Sequence, residues 1–456
     1  MKLLRLFVAA APFFTASLWA ANHEITTPEE LFPQLDAILK HAVAQSPAMV
    51  TRATDLEIAE NDRVGARAAL LPTVGGFFNY YESSDKRSDQ VPTPENPDPE
   101  RLRVQKTYYN FSVTQPIFHW GERRNLDRIG AIRLQMSQRN YREGYRLLAQ
   151  EVRVSYLRLI GDKQRANRAS LAHAYFASQL KRSEEQLAKK AISEAQIFPI
   201  RQDAERMEIS DEQTRFAYEN NKIAFSRLTG LPVLRDDEIP DNIPLVTPQN
   251  ETVQELLAGY LTQKDKPTAA AENARKTLAI AQLNLANDRK RLYPKLSLTA
   301  GASQDEQSYT INIAQKYAIQ SYYAGISVNW LIFDGLTSRA VVRSSRARIR
   351  QLETDYRALD EQLARNAQNQ VKTLGFTARS AAVNERQLQS VEGNLNLRRE
   401  EFGRGVISEE AVSGAEISLA DARIAALVSR AEYYSQLCEF LGMVVEDPVV
   451  ANIPQQ

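Results

Sequence analysis

Residues that could carry chemistry are few and scattered in this sequence. Cys438 is the only cysteine, which excludes a disulfide within the chain. It lies in a repeating series of apolar residues without a histidine partner, a position typical of a small core residue rather than a nucleophile. The four histidines lack the spacing of metal ligands; they are His23, His41, His119 and His173.

Other signatures of catalysis are also missing from the sequence. Asp236 and Asp237 are adjacent carboxylates, but they lie in a proline-rich segment where we expect them to be solvated. There is no glycine-rich phosphate-binding loop and no Gly-x-Ser-x-Gly motif. We therefore predict that the protein is not an enzyme and that it uses no cofactor and no metal.

The first twenty or so residues have the pattern of a secretory signal peptide. Lys2 and Arg5 precede an uncharged apolar run from Leu6 to Phe14, and small residues follow for cleavage. The rest of the chain has no apolar run long enough for a membrane-spanning helix. The full sequence has 57 basic and 56 acidic residues, and this balance predicts no nucleic-acid partner. We expect an exported protein that is either soluble outside the cytoplasm or a membrane β-barrel.

An internal duplication organises the chain. Four segments recur in the same order, each about 212 to 222 residues after its first copy. They are AALLPTVGGFF with KRLYPKLSLTA, PIFHWG with LIFDG, KKAISEAQI with RGVISEEAV, and RLTGLP with EFLGMV. The shared order predicts two structural repeats that together span nearly the whole mature chain.

The repeats give the predicted domain boundaries. A signal peptide covers 1–20, a first repeat covers 21–230, a linker covers 231–251, a second repeat covers 252–443 and a tail covers 444–456. The first repeat has strands at about 73–84 and 107–118 and a long helix pair at about 121–229. The second has strands at about 295–306 and 320–333 and a long helix pair at about 335–442.

The four predicted strands have the residue pattern of a membrane barrel. Leu296, Leu298 and Ala300 alternate with Ser297 and Thr299, and aromatic residues lie near the strand ends. Strands of about ten residues with this pattern fit an outer membrane, while a half-buried soluble sheet is the alternative. Because about eight strands are needed to close a barrel, the membrane interpretation requires oligomers. Three copies would supply twelve strands and room for a channel.

The stretches that follow the strands predict very long helices. Neither 121–190 nor 335–403 contains a proline, and at about 1.5 Å per residue each helix would be roughly 100 Å long. Each helix ends in a tight turn whose serine and glutamate suit the start of the next helix. Helix capping explains these turns in part, and an exposed docking surface at the helix tips is the further hypothesis.

In this arrangement the sequence resembles the TolC-type outer-membrane efflux proteins over nearly all of the mature chain. The resemblance rests on QPIFHWG and NWLIFDG, the two Ile-Ser tips and LTGLP. It implies a mainly helical fold with transmembrane strands, a trimer with a twelve-stranded barrel, and a helical tunnel in the periplasm. The family's acidic tip positions are occupied here by Ala411 and Gly414, so its acidic pore ring is not matched. Lys190 replaces the glycine of the first tip.

The resemblance and the pattern together give the candidate site residues. The candidate adaptor-docking tip comprises Ala191, Ile192, Ser193, Gly405, Val406, Ile407 and Ser408. The candidate pore-mouth charges are Glu194, Glu409 and Glu410, and the strand–helix junctions are Pro72, Gly121, Pro294 and Gly335.

The expected function is that of an outer-membrane exit duct. The resemblance implies a homotrimer, in contact with outer-membrane lipid, that docks to a periplasmic adaptor and an inner-membrane transporter and passively exports small molecules such as drugs. Type I protein secretion and heavy-metal efflux are alternatives within this class. A soluble periplasmic coiled-coil adaptor or scaffold is the alternative of another class.

Overall fold

Two series of helices and strands follow one another along the chain, one in each predicted repeat. The structure is a computed structural model that describes residues 25–86, 101–309 and 316–444; the predicted signal peptide and nearly all of the tail lie outside these ranges. The first series comprises α1 (Pro28–Leu31), α2 (Pro33–Gln45), α3 (Pro47–Ala68), β1 (Thr73–Lys86), β2 (Arg101–Phe118), α4 (Glu122–Ala188) and α5 (Glu194–Thr229).

The second series repeats the first after a linker that contains a short 3-10 turn at Asp236–Glu238. It comprises α6 (Asn250–Thr262), α7 (Ala269–Asp288), β3 (Lys295–Tyr309), β4 (Lys316–Asn329), α8 (Thr337–Gly403) and α9 (Glu409–Val444). Helices α4 and α8 each have 67 residues, and α5 and α9 each have 36. The equal lengths are those expected of a duplicated structure.

The four strands form one antiparallel sheet in the order β1-β2-β3-β4. The hairpin partners Phe78 and Tyr109 are directly opposite each other, and Val113 is opposite Ala300 across the boundary between the repeats. The register between β2 and β3 shifts between Pro116 and Phe118, because proline has no N–H for the ladder.

The two faces of the sheet differ in polarity. Residues opposite each other in the ladder share a face, and one face collects apolar residues from all four strands. Their exposed fractions run from 60% to 82% for Val74, Phe78, Phe111, Tyr322, Ile326 and Val328. On the opposite face the Asn110 side-chain amide donates to the Tyr108 hydroxyl at 3.3 Å, and Thr299 lies 3.3 Å from Ser327. An apolar face of this extent indicates an apolar surrounding.

The described residues divide into two compact units, each with elements from both repeats. One unit contains the sheet, most of α3 and of α7, and the first parts of α4 and α8. The other unit contains the rest of the helices and the linker. In the helical unit the core gathers residues of seven helices and the linker, including Leu35, Tyr156, Phe225, Tyr260 and Phe440. Cys438 is buried in this unit, where the apolar pattern predicted a core residue.

The strand limits differ from the predicted ones at both hairpins and at the end of β4. Strand β3 continues to Tyr309 and β4 begins at Lys316, beyond the expected limits near 306 and 320. The hairpin β1–β2 continues to Lys86 and Arg101, beyond the expected ends near 84 and 107, because ladder pairing continues through polar residues. Strand β4 ends at Asn329, not near 333, because its partner strand β3 begins at Lys295, directly after Pro294.

Among the residues that the structure describes, no helix is both long enough and apolar enough to cross a membrane.

Candidate functional sites at the helix tips and strand–helix junctions

The two helix tips have the same backbone structure. The Ala191 N–H donates to the Gln186 carbonyl at 2.8 Å, and the Val406 N–H donates to the Glu401 carbonyl at 2.9 Å. The residue before each donor has a left-handed backbone, with φ of 58° at Lys190 and 72° at Gly405. This is the Schellman ending of a helix, and it turns the chain from α4 into α5 and from α8 into α9.

The residues of the predicted docking tip lie on these turns. Ala191, Ser193, Gly405, Val406 and Ser408 are exposed, whereas Ile192 and Ile407 are half-buried. The side-chain oxygen of Gln196 accepts the Ser193 N–H at 2.9 Å, so a side chain caps the start of α5. At the second tip the Ser408 carbonyl accepts the Ala411 N–H at 3.1 Å.

The structure brings two of the three predicted pore-mouth charges together. Arg182, on α4, lies 2.8 Å from the Glu409 carboxylate and 3.7 Å from that of Glu410. Within the described ranges, no ion pair reaches Glu194. Arg182 could not be predicted from the sequence, because helical periodicity does not show which neighbour an exposed arginine contacts.

A polar groove lies between α4 and the α8–α9 hairpin, further from the tip than Arg182. Its volume is about 500 Å³, and Leu171, Leu395 and Leu419 contribute its apolar surface. Ion pairs cross or flank it, at 2.8 Å for Arg168 with Asp421, 2.8 Å for Arg399 with Glu416 and 3.5 Å for Arg423 with Glu392.

The strand–helix junctions are tight turns with two successive left-handed residues. At the first, the His119 carbonyl accepts the Glu122 N–H at 2.9 Å around Trp120 and Gly121, whose φ values are 54° and 83°. At the second, the Asp334 carbonyl accepts the Thr337 N–H at 3.3 Å around a glycine and a leucine with φ of 66° and 69°. Positive φ at both central residues is the type I′ pattern. The glycine stands second in one turn and first in the other.

Trp120 connects the first junction to the second repeat. Its Nε1 donates to the Pro294 carbonyl at 2.7 Å, and its ring meets those of Phe118 at 4.8 Å and Tyr293 at 5.0 Å. The predicted junction residues Gly121 and Pro294 are therefore close together. Pro72 lies at the start of β1, where the neighbouring Leu70 carbonyl accepts the Gln115 amide at 3.0 Å, and Gly335 lies in the second turn.

Equivalent positions of the two junctions carry different charges. The Asp334 carboxylate accepts the Ser338 N–H at 2.9 Å and the Ser338 hydroxyl at 2.5 Å. Those bonds hold the pKa of Asp334 below its usual range. His119 takes the place of Asp334 in the first junction. Burial and the positive charge of Arg123 lower the pKa of His119, so its imidazole is neutral at pH 7.

No metal site is apparent within the described ranges, since none of their histidine, cysteine, aspartate and glutamate side chains form a group of three or more able to hold an ion. What the geometry offers instead is a sheet with one apolar face, joined through aromatic turns to two long helical hairpins with matching tips. These features are the ones that the sequence predicts for a subunit of an outer-membrane channel.

The comparisons with known proteins agree with this class. Residues 38–189 match the model of the family described as Outer membrane efflux protein. The Campylobacter jejuni CmeC outer membrane channel is 14% identical, covers 97% of this chain and 94% of its own, and has a TM-score of 0.70. The Vibrio cholerae outer membrane protein VceC is 16% identical over 90% and 96%, with a TM-score of 0.63.

A third structure is the open state of the Neisseria gonorrhoeae MtrE outer membrane channel, 15% identical over 90% of this chain and 89% of that one, with a TM-score of 0.62. No curated protein matches the sequence. The predicted resemblance to outer membrane efflux proteins, the mainly helical fold with four antiparallel strands and the outer-membrane location are confirmed. The family consists of channels rather than enzymes.

Proposed function

We propose that three copies of this chain form a duct with a continuous wall, through which small molecules such as drugs leave the cell. In this proposal a periplasmic adaptor docks at the helix tips and connects the duct to an inner-membrane pump. The observation that carries the proposal is the sheet, which has an exposed apolar face and two outer edges that belong to β1 and β4.

The sheet alone is too small for a membrane. Four strands cannot close a barrel, and lipid does not tolerate unpaired backbone groups at open edges. The strand order leaves β1 and β4 with one described neighbour each. Pairing β4 of one copy with β1 of the next removes every open edge, and three copies give a barrel wide enough for a channel.

The helices α5 and α8 support the same assembly. On α5, buried residues recur every seven positions from Ile197 to Phe225, and a second series is exposed: Phe198, Ile209, Phe216 and Ile223. On α8, Ala367, Leu374 and Leu395 are buried, and a second series is also exposed: Phe376, Val383, Leu397 and Phe402. A second apolar stripe on a helix that already packs within its own chain favours a further helix as neighbour.

The two exposed stripes can pair between copies. Helix α5 leaves its tip and α8 runs toward its own, so the two helices are antiparallel along the hairpins. Phe216 and Val383 both lie about 20 residues from their tips, or roughly 30 Å. Contact between α5 of one copy and α8 of the next covers both stripes and closes the ring of helices.

Cysteine cross-linking tests the assembly. Cys438 is buried, so cysteines placed at Phe216 and Val383 are the accessible ones. We expect the double variant Phe216→Cys/Val383→Cys to give a covalent trimer on oxidation in outer membranes, and each single variant to give none. The purified protein should also raise the conductance of a planar bilayer. A monomer in detergent that leaves conductance unchanged would disprove the proposal.

A further inference from the structure

A small cavity at the first strand–helix junction combines an apolar wall with two cations. Its volume is about 180 Å³. The apolar wall is formed by Ala69, Leu70, Pro116, Ile117 and Phe118, and the polar wall by His119, Arg123 and Arg124. Leu70, Ile117 and Phe118 are exposed beyond the cavity, so the cavity opens onto an apolar surface.

The lining of the cavity contains no carboxylate. His119 Nδ1 and Arg123 Nε are buried atoms without a hydrogen-bond partner. Among the described residues, Arg123 and Arg124 form no ion pair, and the nearby carboxylates are already taken: Glu122 pairs with Lys295 at 2.6 Å, and Asp127 pairs with Arg63. Buried polar atoms without partners are rare and costly, so the cavity suits an anion from outside the chain.

The second junction shows what the first one lacks. Asp334 occupies the position of His119, and its carboxylate accepts two hydrogen bonds from Ser338, which stands at the position of Arg123. There the protein supplies its own negative charge at the start of the long helix. In the first junction the charge is reversed in sign, since a neutral histidine is followed by two arginines.

We propose that this cavity binds the phosphate of an anionic phospholipid on the periplasmic side of the outer membrane. The arginines and His119 hold the head group, and the acyl chains lie along Leu70, Ile117 and Phe118. The proposal rests on the proposed function, because only a sheet that crosses the membrane brings these apolar residues to lipid. The rings of Phe118, Trp120 and Tyr293 are a cluster of the kind that marks the lipid–water interface, and basic pockets at this depth bind head groups.

Native mass spectrometry of the full-length mature protein in detergent tests the site. The protein is titrated with phosphatidylglycerol, with phosphatidylcholine, and with inorganic phosphate alone. We expect bound phosphatidylglycerol, at least tenfold weaker binding of phosphatidylcholine, and no displacement of the lipid by millimolar phosphate. Arg123→Gln/Arg124→Gln should weaken phosphatidylglycerol binding at least tenfold, whereas Arg123→Lys/Arg124→Lys should keep it within about threefold.

Two further variants use the duplication as an internal control. His119→Asp copies the second junction, so its carboxylate should take the place of the lipid phosphate and reduce binding at least tenfold without lowering the unfolding temperature. Arg339→Gln, at the position equivalent to Arg124, should leave lipid binding unchanged. Equal phosphatidylglycerol binding by wild type, Arg123→Gln/Arg124→Gln and His119→Asp would overturn the proposal, as would displacement by inorganic phosphate. Failure of the proposed duct shows separately, as loss of the covalent trimer.

Discussion

Lys190 and Gly405 hold the same left-handed backbone conformation at equivalent ends of the two long helices. This conformation costs a side-chain-bearing residue roughly 1–2 kcal/mol, and glycine avoids that cost. We therefore expect Lys190→Gly to stabilise the first tip by about 1 kcal/mol. In hydrogen–deuterium exchange, the Lys190 and Ala191 amides, which donate to the carbonyls of α4, should exchange about fivefold more slowly.

The second tip provides the reverse experiment. Gly405→Ala should speed exchange of the Val406 amide by a similar factor, while Gly403→Ala, inside the last turn of α8 and with open space around it, should not. Equal exchange at both tips in all three variants would show that the left-handed residue does not control the stability of the turn.

Gly301 gives the sheet its close contact between β3 and the ring of Tyr323. A Cβ on Gly301 would lie 2.5 Å from the Tyr323 hydroxyl, which is 3.3 Å from the Asn110 side-chain nitrogen. The Cβ would also lie 2.5 Å from the Phe111 backbone carbonyl oxygen. Gly301→Ala should therefore displace both the tyrosine and the β2 backbone and destabilise the sheet by about 1–3 kcal/mol. Gly325→Ala is the matched control, because nothing lies within 4 Å of its Cβ position. The fluorescence of Trp120 and Trp330 during guanidinium unfolding measures the difference, and equal midpoints would contradict the argument.

Periodicity in the sequence was enough to predict the strands, the long helices and the two turns at their ends. Period-two alternation marked 295–302, and the repeating series of apolar residues correctly placed Cys438 in the interior. A second buried face on α9, with Leu419, Tyr433 and Phe440, was not predicted, because one apolar stripe does not show how many neighbours a helix has.

The remaining features depend on contacts between distant residues. Glycine predicts a left-handed turn, but Trp120, Lys190 and Leu336 adopt that conformation only because the surrounding structure fixes it. The pairing of Arg182 with Glu409 joins exposed residues that are far apart in the sequence, and neither residue's type predicts the other.

Arg153 and Glu29 form a buried ion pair at 2.5 Å between α4 and α1. Their side chains are 1% and 9% exposed. Arg153→Leu leaves the Glu29 carboxylate buried without its cation and should destabilise the protein by about 3 kcal/mol. In Glu29→Leu/Arg153→Leu most of that loss should be recovered, since the Glu29 carboxylate is no longer buried without its cation. Denaturant unfolding of the four proteins in a double-mutant cycle gives the coupling, and additive losses would contradict it.

Arg182 holds the Glu409 and Glu410 carboxylates at the second tip. Each side chain of this group is more than 40% exposed, so the pairs are weak individually and sensitive to salt. If the tips narrow the proposed duct, Arg182→Ala should raise single-channel conductance by a few fold, and wild type at high salt should approach the variant. The control variant Arg201→Ala removes a 4.0 Å ion pair with Glu184 within the α4–α5 hairpin and should leave conductance unchanged. An equal rise in conductance in both variants would exclude a specific role for Arg182.

Asp236 of the linker forms hydrogen bonds with two side chains of α5. Its carboxylate accepts hydrogen bonds from Lys222 Nζ at 2.9 Å and from the Tyr218 hydroxyl at 3.0 Å. The bond from Lys222 has the largest effect on the pKa of Asp236, and together with the bond from Tyr218 it lowers that pKa in spite of burial. A carboxyl with a lowered folded-state pKa stabilises the fold above its unfolded pKa, near 3.8, and loses that effect as the pH falls through the folded value. Asp236→Asn should therefore unfold at a lower temperature than wild type above pH 5, and the two should converge below pH 4. Asp237→Asn, in the same exposed turn, should follow wild type at every pH, and a constant difference for Asp236→Asn down to pH 2 would exclude the carboxylate as the cause.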